Sequence, residues 1–226
     1  MSSITKGKKA RRRILIVDDH PMMREGLAQL IDHEKDLEVC GQAADAAQAM
    51  SLAAGTHPDL VLADISLPGR SGLELTKDLL ALYPNLPILV ISMHDETLYA
   101  ERVLRAGGRG YIMKHEGGLK LMGAIRQVLA GRVYVSEHMS AQLLDSLAGG
   151  KSDANQPSVH HLTDRELEVF RLLGNGIGSR DIAARLNLSV KTVEVHRAHI
   201  KRKLGKQTSV ELIRDAVRWV ESQGRQ

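Results

Sequence analysis

Apolar positions along the chain follow two rhythms. As far as about residue 130, short unbroken apolar runs alternate with stretches of helical spacing. Beyond about residue 160 only the helical spacing remains. The runs are Arg13–Val17, Leu37–Ala43, Leu60–Asp64, Pro87–Ile91 and Gly110–Met113. Their length, and the Gly, Pro and acidic residues that bound them, predict buried strands. A first helix opens at Pro21, with Met22, Leu27, Leu30 and Ile31 on one face. A second is capped by Asp45, carries Ala46, Ala47, Met50, Leu52 and Ala53, and stops at Gly55. A third runs from Ser71 to Tyr83 on Leu73, Leu75, Leu79 and Leu80, and a fourth from Glu96 to Ala106. The last, from Gly117 to Ala130, carries Leu121, Ile125, Val128 and Leu129.

Five β–α units in succession predict a parallel, doubly wound sheet with right-handed crossovers, an α/β flavodoxin-like (βα)5 domain over 13–131. A further helix is expected over Tyr134 to Leu147, starting near Ser136. Ala148 to Pro157 is rich in Gly and small polar residues and reads as a flexible linker, so 132–160 is a linker helix and linker. The remainder, 161–226, is all-α, with four helices. Thr163 and Glu166 form a capping box ahead of Leu167, Val169, Phe170 and Leu173, and Gly174 to Gly178 break that helix. A short helix from Ser179 carries Ile182, Ala183 and Leu186. Asn187-Leu188-Ser189 is a tight turn with Ser189 as N-cap of a helix over Val190 to Leu204. A fourth runs from Ser209 to Ser222 on Val210, Leu212, Ile213, Val217 and Val220. Two short helices joined by a tight turn, the second basic, describe a helix-turn-helix.

Charge separates the two halves. Residues 14–150 hold 11 Lys/Arg against 18 Asp/Glu, and residues 158–226 hold 13 against 8. Only the second half is therefore expected to meet a polyanion. The head adds Lys6, Lys8, Lys9, Arg11, Arg12 and Arg13. It reads as a disordered, solubilising start, with a nucleic-acid arm as the alternative. The single cysteine, Cys40, is expected as a small buried strand residue and cannot form an internal disulfide. With no apolar run of membrane-spanning length and no signal-type start, a cytoplasmic protein without a membrane partner is expected.

The candidate chemistry sits at strand ends. Asp18 and Asp19 follow the first strand and Asp64 ends the third, and in the order 2-1-3-4-5 these strands are neighbours. Three converging carboxylates repel, so either their pKa values rise or a hard divalent cation sits among them. Oxygen donors around an open position suit Mg²⁺. Strands four and five deliver Ser92 and Lys114 to the same edge. Each residue alone has a plainer explanation in turn chemistry or a solvated charge. Together they form a site for phosphoryl transfer to Asp64.

Residues 13–130 resemble the receiver domain of bacterial two-component response regulators. The resemblance rests on Ile14-Leu-Ile-Val-Asp-Asp-His-Pro21, Asp64-Ile-Ser-Leu-Pro-Gly69, Ile91-Ser92 and Gly110-Tyr-Ile-Met-Lys114. It implies that Asp64 accepts phosphate from a sensor histidine kinase. It also implies that Asp18, Asp19, Asp64 and the Ser66 backbone carbonyl hold Mg²⁺, that Ser92 and Lys114 contact the phosphoryl group, and that Tyr111 is the switch aromatic. Where many receivers carry proline after the lysine, this chain has His115, and Ser92 replaces the commoner Thr.

The tail resembles the LuxR/NarL-type DNA-binding domain through Leu162-Thr-Asp-Arg-Glu166, Lys191-Thr-Val-Glu-Val-His196 and Ile200-Lys-Arg-Lys-Leu204. Both domains and their order resemble the NarL/FixJ subfamily. On the recognition helix, Val190, Val193, Ile200 and Leu204 would pack inward. Glu194, Val195 and Ala198 would face bases, while Lys191, Arg197, Lys201 and Lys203, with Thr192 beside them, would lie nearer the phosphates of double-stranded DNA. The resemblance assigns the last helix a homodimer contact on DNA. The expected function is a phosphorylation-controlled transcription regulator, a phosphoacceptor and not an enzyme in the usual sense. The alternatives are an aspartyl-phosphate phosphohydrolase, against which Ser66 stands where such enzymes place a second acid, and a DNA-binding regulator independent of phosphate.

Overall fold

The structure, a computed structural model, describes residues 10–147 and 158–223. Five strands and five helices alternate: β1 (Arg12–Val17), α1 (Pro21–Asp32), β2 (Leu37–Ala43), α2 (Ala46–Thr56), β3 (Leu60–Asp64), α3 (Gly72–Leu82), β4 (Ile88–Ser92), α4 (Glu96–Arg105), β5 (Gly110–Met113) and α5 (Gly118–Leu129). The strands form one parallel sheet in the order β2-β1-β3-β4-β5. Because β1 and β3 are direct neighbours, with Val17 beside Ala63, the residues that follow them emerge side by side. β4 places Ser92 beside Met113 of β5, so Lys114 leaves the sheet at the same edge.

Alternation along each strand divides the core. Ile14, Ile16, Leu60, Leu62, Leu89 and Ile112 face α1 and α5, while Leu15, Val17, Val61, Ala63, Val90 and Tyr111 face α2, α3 and α4. β1, β3 and β4 are buried on both faces, as the unbroken apolar runs require.

Beyond the sheet come α6 (Glu137–Leu147), α7 (Asp164–Gly174), α8 (Ser179–Arg185), α9 (Val190–Lys203) and α10 (Ser209–Gln223). The Thr163/Glu166 capping box starts α7, and Ser189 caps α9 through the Thr192 amide. Asn187, at φ 53°, makes the left-handed turn between α8 and α9. A second capping box, Ser71 with Glu74, starts α3. The linker over 148–157 and residues 1–9 of the basic head lie outside the described residues.

Several details differ from the sequence expectations. Met22 is 88% exposed and Leu30 faces out, because the buried arc of α1 centres on Leu27, Ala28 and Ile31. Met22 stands five residues before Leu27, about 140° away round the helix. α2 passes through Gly55 and is capped by His57 in the left-handed region at φ 45°, a conformation that His tolerates better than most residues. Tyr134 precedes α6 and bridges the edge of β5 at Gly110. Cys40 is only half-buried, with its thiol 3.6 Å from Thr56 Oγ1. Arg11, Arg12 and Arg13 of the basic head are tied to the sheet edge by Glu38 and Asp59. Val190, the first residue of α9, is 45% exposed, because helical side chains lean toward the N-terminus and nothing lies above it to cover it.

Gly72, the first residue of α3, packs against the end of β3. A Cβ at this position would collide with the Asp64 carbonyl oxygen. Gly72→Ala should therefore destabilise the fold by about 1–3 kcal/mol, read as a lower urea midpoint. An unchanged midpoint would show that the loop after β3 yields freely.

Candidate functional site

At the C-terminal edge of the sheet, Asp18 and Asp64 are buried and Lys114 lies between them. Lys114 Nζ is 2.7 Å from Asp18 Oδ2 and 2.8 Å from Asp64 Oδ2. Burial pushes the Asp64 carboxyl above its ordinary range, and the Lys114 ammonium offsets part of that rise. For Lys114, burial alone would lower the value. Asp64 and Asp18 outweigh it and hold the ammonium above its usual pKa, so the lysine is charged.

Asp19 lies at the mouth, with Oδ1 2.7 Å from His20 Nδ1. Asp18, Asp19, His20 and Asp64 each offer a ligand atom, all within 4.8 Å of one another. Asp18 Oδ2 and Asp19 Oδ1 are buried and receive no well-directed hydrogen bond, leaving only the charge contacts just described. Buried carboxylate oxygens with spare lone pairs fit a hard divalent cation. His20, which the sequence reading left aside, joins this group only through the turn after β1.

Ser92 ends β4 and is fully buried, and its hydroxyl accepts the His94 amide at 3.1 Å. Tyr111 points into the core from β5, and its hydroxyl donates to the His94 carbonyl at 2.6 Å. Burial raises this phenol well above its ordinary pKa, so it is a donor throughout. Ser66, two residues after Asp64, donates its amide to Asp64 Oδ1 at 3.3 Å. Its hydroxyl lies 2.8 Å from His94 Nε2. Asp18, Asp64 and Lys114 thus meet directly, and Ser92 ends the strand beside that of Asp64 with its hydroxyl on the His94 amide. His94 is the residue missed, since a histidine two places past a strand end carries no signal in one sequence. Burial first, and then the charges of Arg171 and Lys114, bring its pKa down to about 3, so its ring is neutral.

In the helical part, Lys191, Glu194, Val195 and Ala198 of α9 are exposed, and Lys201 is half-buried. Thr192 Oγ1 is 2.7 Å from the Ser189 hydroxyl. Arg197 is held by Ser179 at 2.6 Å and by Glu194 at 2.9 Å. Lys203 departs from its expected place among the phosphate contacts. Its ammonium turns onto the buried Glu166, 2.6 Å away, which needs a counter-charge. On α10, Val210 is 75% exposed and Ile213 also faces out.

The helical part is also joined to the sheet domain. Arg102 of α4 donates to the Leu162 carbonyl at 2.8 Å and to Asp164 at 3.1 Å, and Lys77 of α3 reaches Asp164 at 2.8 Å. The Gly69 amide donates to the Arg185 carbonyl, and Arg171 Nη1 lies 2.8 Å from His94 Nε2. These pairings come from residues far apart in the chain, and no local pattern announces them.

Residues 14–126 match the model of the response regulator receiver domain, and residues 160–216 match that of bacterial regulatory proteins, luxR family. The chain belongs to the response regulators that join these two domains. Its relatives include the oxygen regulatory protein NreC of Staphylococcus carnosus, 35% identical over 210 residues, covering 91% of this chain and 97% of that one. NreC of Staphylococcus aureus strain JH9 is 36% identical over 213 residues, with the same coverage of both chains. Among solved structures, RcsB from Salmonella enterica serovar Typhimurium, bound to promoter rprA in the presence of phosphomimetic BeF3-, matches with TM-score 0.65 at 25% identity over 90% of this chain and 97% of that chain. A LuxR-family two-component response regulator from Aurantimonas sp. SI85-9A1 matches with TM-score 0.58 at 34% identity over 62% of this chain and 99% of that chain. Among the described residues, no helix is long and apolar enough to cross a membrane.

Glu166 offers a direct test of the helical domain. Burial alone would raise its carboxyl. The Lys203 ammonium and the Thr163 backbone and hydroxyl outweigh that and hold it below the ordinary range. A depressed carboxylate contributes stability above its unfolded pKa of about 4.3, and that contribution is lost as pH falls through the native value. Lys203→Met should lower stability by about 1.5–3 kcal/mol near neutral pH. The difference from wild type should shrink below about pH 4. Urea midpoints across pH check both, and a deficit that does not change with pH would refute the assignment.

Proposed function

We propose that the chain is a two-component regulator in which phosphorylation of Asp64 controls sequence-specific DNA binding by α9. The observation that carries this is the placing of Lys114 between Asp18 and Asp64, a charged donor held against the carboxylate oxygens of a buried acid. Asp64 attacks the phosphorus of the donor, a phosphohistidine of a sensor kinase. The new O–P bond forms as the P–N bond breaks, and the leaving imidazole takes up a proton. Lys114 neutralises charge on the moving group, and the hydroxyl of Ser92 and the amide of Ser66, which already bonds Asp64 Oδ1, turn onto its oxygens. Asp18, Asp19, Asp64 and the Ser66 carbonyl would hold Mg²⁺, which when bound supplies positive charge to the phosphoryl oxygens. Tyr111 is the aromatic whose contact with the loop after β4 changes when Ser92 moves.

Double-stranded DNA is the ligand of the second half. Glu194, Val195 and Ala198 form the base-facing surface, where Glu suits a cytosine amino group and Val or Ala a thymine methyl. Lys191 and Lys201, with Thr192 and Arg197, serve the phosphates, and Lys203 serves chiefly by holding Glu166 in place. The exposed Val210 and Ile213 of α10 make it the homodimer contact. In this reading the receiver domain spans 13–131, a linker helix and linker span 132–160, and the DNA-binding domain spans 161–226. Such a regulator acts where the bacterial chromosome lies, in the cytoplasm.

Asp64→Asn should abolish labelling by acetyl phosphate in Mg²⁺ and any gain in DNA binding caused by the phosphodonor. Labelling that persists at the wild-type level would overturn this function. Asp18→Asn with Asp19→Asn should weaken Mg²⁺ binding at least tenfold, read by titration against intrinsic fluorescence or calorimetry. The loss removes two of the proposed carboxylate ligands.

A further inference from the structure

The joint between the two domains passes directly beside the phosphoacceptor, and one residue holds it from several sides. The His94 amide donates to Ser92, its carbonyl accepts from Tyr111, and its ring nitrogen Nε2 meets both Ser66 and Arg171. Arginine has no acceptor, so Nε2 must present a lone pair to Arg171, and the ring proton sits on Nδ1. The ring also stacks on Tyr99 of α4, with centroids 5.3 Å apart and planes at 28°. Arg171 itself comes from α7, the first long helix of the DNA-binding domain. A continuous chain of contacts therefore runs from α7 through Arg171, His94 and Ser66 to Asp64 Oδ1.

We infer that the Arg171–His94 hydrogen bond is the latch through which the state of Asp64 is passed to the DNA-binding domain. The inference rests on the reading of Asp64 as phosphoacceptor. A phosphoryl group on Asp64 competes for two groups that now set the position of His94. Ser92 gives up the His94 amide when its hydroxyl turns to the phosphoryl oxygens, and Ser66 shifts when its amide does the same. With both supports changed, Nε2 no longer sits where the Arg171 guanidinium can reach it. The other cross-domain contacts, of Arg102 with Asp164 and the Leu162 carbonyl, of Lys77 with Asp164, of Arg165 with Gly69 and Glu74 and of Gly69 with Arg185, do not involve Ser66, Ser92 or His94, so the Arg171 bond is the one that answers directly to the surroundings of Asp64. Of these, the ion pair of the exposed Lys77 contributes little. His94 and Arg171 are thus positioning residues, touching neither the phosphodonor nor DNA. Reciprocity follows: if phosphorylation opens the joint, the closed joint must disfavour phosphorylation by the same factor.

The test uses the full chain with acetyl phosphate, beryllofluoride and Mg²⁺ as probes. Arg171→Ala should raise the extent of Asp64 labelling at limiting acetyl phosphate at least about fivefold, the lower end of ordinary allosteric coupling. The same substitution in a His94→Ala background should add nothing, because the bond is already gone. Small-angle scattering should show wild type expanding when beryllofluoride is added, and Arg171→Ala already expanded without it. A matching urea midpoint confirms that the variant is folded. Should Arg171→Ala prove unfolded, His94→Ala alone must show the expanded state. Additive effects of the two substitutions, or a variant as compact and as poorly labelled as wild type, would overturn the latch. Failure of wild type itself to label would instead overturn the function proposed for Asp64, so the two failures are distinct.

Discussion

The ammonium of Lys114 is the group on which the rest of the structure depends. It stands between two carboxylates that the sheet has removed from water. Burying two acids side by side is unfavourable unless a cation accompanies them. One lysine at the end of β5 supplies that cation, and in doing so fixes the end of β5 against the ends of β1 and β3. The same pairing leaves the acids unevenly satisfied. Asp64 keeps a pKa raised by burial, and Asp18 and Asp19 each keep a buried oxygen without a well-directed donor. The pocket is therefore short of positive charge, an imbalance that the divalent cation proposed above would relieve.

Much of this arrangement could be read from the chain because it follows from strand ends. An apolar run that stops at Asp64, another that stops at Ser92 and a third at Lys114 place their last residues on one edge once the sheet is parallel and ordered β2-β1-β3-β4-β5. The helix-turn-helix was equally legible. Its capping residues Thr163, Glu166 and Ser189 act within four residues of themselves, so local sequence contains the whole interaction. The misreadings share a cause as well. Met22 and Val190 are apolar residues at the start of helices, where no preceding turn covers them. Lys203 reads from the sequence as a contact to DNA phosphates, and its pairing with Glu166, 37 residues away, has no local signal. His94 and Arg171 were invisible for the same reason, being 77 residues apart. Long-range polar pairs have no periodicity to reveal them.

The helical domain depends on its own buried charge in a parallel way. Glu166 serves as the third residue of the capping box and as the acceptor of Lys203, so one carboxylate ties the start of α7 to the end of α9. The orientation of the recognition helix is thereby set from its C-terminal end. In its N-terminal half Val193 packs into the core, while Lys191, Glu194 and Val195 stay exposed.

That division decides what docking of the two domains can control. The joint engages α7, through Asp164, Arg165 and Arg171, and the Arg185 carbonyl at the end of α8. It does not cover the outward face of α9: Lys191, Glu194, Val195 and Ala198 remain exposed with the domains in contact. Shielding the recognition helix is therefore not how the closed arrangement acts. Its effect is to fix the direction in which α9 and α10 point. In the homodimer proposed above, two recognition helices would have to meet successive major grooves about 34 Å apart, and the joint through α7 fixes where each α9 stands on its own receiver. On the reading proposed for Asp64 and α9, regulation through the joint would act on the placing of the helical domain, since the outward face of α9 is already exposed with the domains in contact.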